Sequence, residues 1–264
     1  MEWKSGEAVE LMVAGVRLEG ACFGPSPDDA PTLLLLHEGL GCVALWRDFP
    51  QKLSEITGFG VFTYSRQGYG KSDPVTLPRP LNYMNVEADK VVGPVMDVAG
   101  LKKVILVGHS DGASIAAAYA GMKDDPRLKG VVLMAPHFFA EDISIRAITS
   151  ALEAYKTTDL RQKLSKYHAD VDGAFHGWCD GWLNPEFRNW NIEADLQEID
   201  VPVLFIQGRE DAYGTLAQLE ALKGNLSSLL VAEIYEDCGH SPALEKQERV
   251  LEDIATFVKS LKVH

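Results

Sequence analysis

Basic residues are scarce in this chain. Its 25 Lys and Arg stand against 38 Asp and Glu, a formal charge of −13 over 264 residues. A phosphate backbone is gripped by clustered Lys and Arg, so the balance argues against a general nucleic-acid or anionic-membrane partner. Cysteine is also sparse. Cys22, Cys42, Cys179 and Cys238 are widely separated, with no C-x-x-C pair and no metal-ligand spacing, so reduced thiols and no metal are expected. No apolar stretch has the roughly 20 residues needed to span a bilayer. The opening MEWKSGEAVE lacks the basic region and apolar run of a secretory signal, and a cytosolic location is expected. Internal repeats, low-complexity tracts and flexible linkers are absent as well. With 46% hydrophobic composition, the chain can bury a large core as one big domain or a domain with an insertion.

The apolar residues come in a rhythm. Between Glu7 and Cys22 they alternate on either side of Ala14-Gly15, which reads as a hairpin. Strand candidates then recur at Leu33–Leu36, Val61–Tyr64, Val104–Val107, Val131–Met134, Val203–Ile206 and Leu229–Tyr235, mostly separated by helix-like segments. Such alternation predicts an α/β fold, a mainly parallel sheet with helices on both faces that binds ligands at the carboxyl ends of its strands. The long interval before Val201 breaks the rhythm. Helical periodicity at Asp142–Tyr155, Leu160–Tyr167 and Phe175–Leu183 makes Pro136–Asn191 a helical cap over that edge, leaving residues 1–135 and 192–264 as the core domain.

Within this frame Val104–Gly121, VILVGHSDGASIAAAYAG, carries the chemistry. Ser110 is the centre of a G-x-S-x-G pattern, Gly108-His109-Ser110-Asp111-Gly112, set between a buried strand and an alanine-rich helix. A sharp turn there holds the hydroxyl clear of the backbone and aims the Asp111 amide at a developing oxyanion. A serine nucleophile needs a base and an orienting carboxylate. Gly208-Arg209-Glu210-Asp211 follows one strand and Asp237-Cys238-Gly239-His240 another, so His240 is the candidate base, and Asp211, Glu210 or Asp237 the acid.

The elbow, the alternating sheet and the chain order Ser110, Asp211, His240 resemble the α/β-hydrolase superfamily, and the resemblance covers essentially the whole chain. His37-Glu38-Gly39-Leu40-Gly41 looks like that family's H-G-G-x-G oxyanion loop and implies Gly39 as a second amide donor beside Asp111. Tyr64 to Ser72 resembles the turn after the next strand, and Gly239-His240-Ser241-Pro242 the C-terminal histidine motif. Family spacing favours Asp211 as the acid. Two departures stand out: Tyr64 replaces an aspartate, and Glu38 occupies a glycine position. A carboxylate in the oxyanion site would oppose the charge formed there, so Glu38 is expected to turn aside and pair with a cation such as Arg66, or to bind substrate.

His109 is a further substrate-site candidate, as are Phe175, Trp178 and Trp182, whose i, i+3, i+7 spacing puts them on one helical face. The other reading of that stripe is plain core. The resemblance implies a serine hydrolase of small carboxylic esters, lactones or thioesters, working through an acyl-enzyme without a cofactor. Its partner would be a small-molecule substrate, and the residues name no oligomeric state. Rival readings are a carbon–carbon bond hydrolase, whose elbow asparagine is missing here, a proline-iminopeptidase-like amidase, a cofactor-free haloperoxidase, and a ligand receptor that retains the triad.

Overall fold

The computed structural model describes residues 2–263. Eight strands form one sheet in the order β1-β2-β4-β3-β5-β6-β7-β8. The hairpin β1 (Ala8–Val13) and β2 (Val16–Phe23) pairs antiparallel, and β2 joins β4 (Gly60–Tyr64) the same way. All later pairings are parallel, through β3 (Thr32–Leu36), β5 (Val104–His109), β6 (Leu128–Met134), β7 (Val203–Gly208) and β8 (Leu230–Tyr235).

Runs such as Leu33–Leu36 are continuous rather than alternating because both faces of the sheet are covered. Leu34, Leu36, Val104 and Leu106 point into one apolar cluster; Leu33, Leu35, Ile105 and Val107 point into the other. The first is roofed by the helix Asp111–Met122 and the helical stretch 83–99, the second by the helices Phe49–Thr57 and Gln247–Ser260. Among the described residues no helix is long and apolar enough to cross a membrane. All four cysteines are buried and unpaired.

Between β6 and β7 the chain leaves the sheet to form the helices Asp142–Thr157, Leu160–Leu164 and Val171–Leu183 and the short turn of helix Pro185–Asn189. The two ends of this excursion are tied at its base. Phe139 bridges Asn191, and the Ile192 amide donates to the Phe138 carbonyl at 2.7 Å.

The helix Asp111–Met122 is buried all round, not only along its alanine face, because the short helix Glu193–Leu196 crosses its far end. Its first turn lies so close to β3 that a Cβ on Gly112 would stand 2.0 Å from the Leu36 carbonyl oxygen. Alanine is intrinsically the better helix former by about 1 kcal/mol, but here the clash is with backbone of a buried strand. Gly112→Ala should therefore destabilise by about 1 to 3 kcal/mol in urea unfolding. A neutral or stabilising result would mean that strand and helix are free to separate.

Candidate active site

Parallel strands deliver their following loops to one edge, and four of those loops meet there. After β5 the chain turns through Ser110 at φ 52°, ψ −120°, a strained conformation for a non-glycine residue. The turn survives because its neighbours leave no room for relaxation: a Cβ on Gly108 would lie 2.3 Å from the Gly112 carbonyl oxygen. Opposite, the His240 Nε2 stands 2.9 Å from the Ser110 Oγ, and its Nδ1 stands 2.8 and 2.9 Å from the two Asp211 carboxylate oxygens. Asp211 is buried, and its Oδ1 also accepts from the amides of Tyr213 at 2.8 Å and Gly214 at 3.3 Å. Burial pushes its pKa up, but His240 and the Tyr213 amide outweigh this and hold it below the ordinary aspartate value. Glu210 and Asp237 are exposed, and the carboxylate hydrogen-bonded to His240 is that of Asp211. Cys238 is sealed in, its thiol pushed up to about 11 by burial.

The loop after β3 supplies the other wall. Arg66 is buried and donates to the carbonyls of His37 and Glu38, the second at 3.0 Å. His37 Nε2 accepts from the Arg66 amide at 3.0 Å, so its proton sits on Nδ1 and is donated to the Glu38 carbonyl at 2.7 Å. Arg66 thus grips this loop by its backbone, not by the Glu38 carboxylate. The cation facing that carboxylate is His109, at 3.5 Å. Among the described residues neither the Gly39 nor the Asp111 amide donates to a protein acceptor, and both residues line the cavity in front of Ser110.

That cavity, about 190 Å³, is closed above by Trp178, Trp182 and Ile148 from the helical excursion and at the side by Tyr213, whose ring lies 4.6 Å from that of His240. Trp178 rests on the oxyanion loop; a Cβ on Gly39 would meet its Nε1 at 2.3 Å. Trp182 donates at 3.1 Å to the Tyr83 hydroxyl, which in turn donates to Asp111 Oδ2. Burial pushes the Asp111 carboxyl above its ordinary range against the opposing pull of Arg66 and Tyr83.

Two substrate candidates lie elsewhere. Phe175 does not reach the cavity: it is fully buried and stacked on Tyr155 at 3.7 Å, because helical spacing fixes a shared face but not which end of that face meets the opening. His109 lines a separate cleft of about 110 Å³ together with Trp46, Arg47 and Leu244, and its Nε2 donates to the His240 carbonyl at 2.7 Å. It braces the His240 backbone and is not among the residues that line the cavity. Glu38 lines both spaces. His137, Tyr213 and Ile148 are wall residues that sequence reasoning did not single out. The signal for His137 was its position, three residues past the end of β6 on the same edge.

A family model of the alpha/beta hydrolase fold matches residues 31–195. The chain is 25% identical to the 2-hydroxy-6-oxononadienedioate/2-hydroxy-6-oxononatrienedioate hydrolase 2 of Pseudomonas putida, over 84% of this chain and 85% of that one. It is 24% identical to a proline iminopeptidase of Heyndrickxia coagulans, over 94% and 97%. A thermophilic esterase from Thermogutta terrifontis superposes with a TM-score of 0.73 at 17% identity, covering 97% of this chain and 99% of that one. The 2-hydroxy-6-oxo-6-phenylhexa-2,4-dienoate hydrolase of a Rhodococcus strain does so at 0.77 and 17%, covering 96% and 99%.

The Glu38–His109 pair gives the site a pH signature. Burial pushes the Glu38 pKa up, but the hydrogen bond and charge of His109 bring it down to about 2. Its contribution to stability is therefore present above its unfolded value of about 4.3 and lost as pH falls through the folded one. Burial pulls the His109 pKa down, but Glu38 more than compensates and leaves it raised. That contribution is present below about 6.5 and lost as pH rises through the folded value. Glu38→Gln should cost most between these limits, about 1 kcal/mol for a partly exposed carboxylate, and less on either side. Urea unfolding of both proteins across this range checks it; a pH-independent difference would refute the ionic pairing.

Proposed function

The chain belongs to the alpha/beta hydrolase fold family, and on that premise we propose that it is a serine hydrolase of small carboxylic esters, lactones or thioesters. The observation that carries this reading is the unbroken hydrogen-bond relay from Ser110 through His240 to Asp211, opening onto a cavity of small-molecule size. In this reading Ser110 Oγ forms a bond to the substrate carbonyl carbon while its proton passes to His240 Nε2. Asp211 holds the imidazole in the Nδ1–H tautomer and stabilises its cationic form. The Gly39 and Asp111 amides receive the oxyanion, each contributing roughly 3 kcal/mol to lowering the barrier. The carbon–oxygen or carbon–sulfur bond then breaks, His240 returns the proton to the leaving group, and water repeats the sequence to release the acid. The segment 136–191 acts as the cap that shapes the acyl site. The reading includes a cytosolic setting, which the four unpaired buried thiols support.

A second reading, hydrolysis of a carbon–carbon bond, has the support of the Pseudomonas putida relative. The cavity lining weighs against it. Glu38 lines the space and, among the described residues, no Lys or Arg does, a poor setting for a dioate such as that relative's name describes. Turnover of esters, lactones, thioesters, amides and diketones, with Ser110→Ala as the blank, separates the two.

Ser110→Ala should fold normally and lose about 10⁴-fold or more in kcat/KM. Asp211→Asn should lose about 10²- to 10⁴-fold, whereas Glu210→Gln should change little; the reverse order would reassign the acid. Retained turnover in Ser110→Ala would remove the serine mechanism. The cap aromatics should divide as well. Trp178→Ala should depress kcat/KM for bulky esters about tenfold relative to acetyl esters, while Phe175→Leu should lower Tm and leave that ratio unchanged. A selectivity change in Phe175→Leu alone would place the acyl site elsewhere.

A further inference from the structure

A second imidazole shares the cavity with the relay and takes no part in it. His137 is 98% withdrawn from solvent, its ring 5.8 Å from that of His240 and set edge-on to Trp182 at 5.0 Å. Its backbone is fixed, the amide donating to the Ser114 hydroxyl at 3.0 Å. Its Nδ1 is sealed off and has no partner, so Nε2 is the ring nitrogen left at the cavity wall, and among the described residues it too has no partner. A neutral imidazole carries one proton. An orphaned buried N–H costs more than an orphaned lone pair, which puts the proton on Nε2 and a donor at the wall.

We propose that His137 Nε2–H recognises a neutral oxygen on the acyl part of the substrate, making oxygen-substituted acyl esters (hydroxyacyl or oxoacyl) the preferred class. This deepens the serine-hydrolase reading and rests on it. The oxygen is neutral rather than a carboxylate because Glu38 lines the same cavity and, among the described residues, no Lys or Arg does. His137 itself stays uncharged: burial, then the charges of His240 and His109, pull its pKa down to about 3. Leu40, Ile148 and the two tryptophans make the wall around it largely apolar, with the hydroxyl residues Tyr213 and Ser241 also in the lining, so a fixed donor in that setting discriminates for an acceptor placed to meet it.

The test compares 4-nitrophenyl 3-hydroxybutyrate with butyrate and 4-oxopentanoate with pentanoate, each rate divided by that ester's alkaline hydrolysis rate. The wild-type protein should favour the oxygenated member of at least one pair by about tenfold in kcat/KM, the worth of one neutral hydrogen bond. His137→Phe, which keeps a ring against Trp182, should bring that ratio toward one, and His137→Gln, which keeps a donor, should retain part of it. A wild-type ratio at or below one in both pairs overturns the proposal without any variant, as does a ratio unchanged in His137→Phe. If wild-type protein turns over none of the four esters, the serine-esterase reading beneath it fails too; turnover of all four without preference removes only this inference.

Discussion

A guanidinium withdrawn from water must be matched by acceptors and by countercharge, and the site depends on how Arg66 is matched. Its acceptors are the carbonyls of His37 and Glu38, and its countercharges are Asp111 and Glu87. Turning those carbonyls inward sends the Glu38 side chain toward His109 and leaves the Gly39 amide without a protein acceptor. His109 then holds the His240 carbonyl, and His240 reaches Ser110. One buried cation on the loop after β4 is thereby linked through ordinary contacts to the imidazole after β8.

The second set of constraints comes from the excursion between β6 and β7. Trp182 is linked through Tyr83 to Asp111, the residue whose amide flanks the nucleophile, while Trp178 lies on the loop carrying Gly39. Both candidate oxyanion donors are thus backed by aromatic side chains of the segment that also closes the cavity. The same two rings therefore close the cavity and touch its floor, Trp178 directly at Gly39 and Trp182 through its indole nitrogen and Tyr83 at Asp111.

The sheet was legible because burial on both faces leaves continuous apolar runs, and Leu33–Leu36 or Val104–Val107 cannot be mistaken for surface. Ser110 was legible because a strained turn needs small neighbours, and Gly108 and Gly112 advertise it. Contacts that depend on two distant loops were not. Nothing in the local sequence of Glu38 names His109 as its partner, and electrostatic reasoning alone reached for Arg66, the nearer cation in the motif. Phe175 shows the limit of periodicity: it shares a helical face with Trp178, yet Tyr155 takes its ring into the packing. His137 was hidden because an isolated histidine has no pattern, and only the closing of the cavity gives its Nε2 a direction.

The contact between Gly39 and Trp178 has a consequence on the scale of lineages rather than molecules. With the indole 2.3 Å from where a Cβ would be, a side chain at position 39 is compatible only with a smaller residue at position 178, and a tryptophan at 178 only with glycine at 39. Descendants of this sequence can change either position only if the other changes with it. The pair should therefore drift together, as covariation between the loop after β3 and the helical segment between β6 and β7, two stretches far apart in the chain.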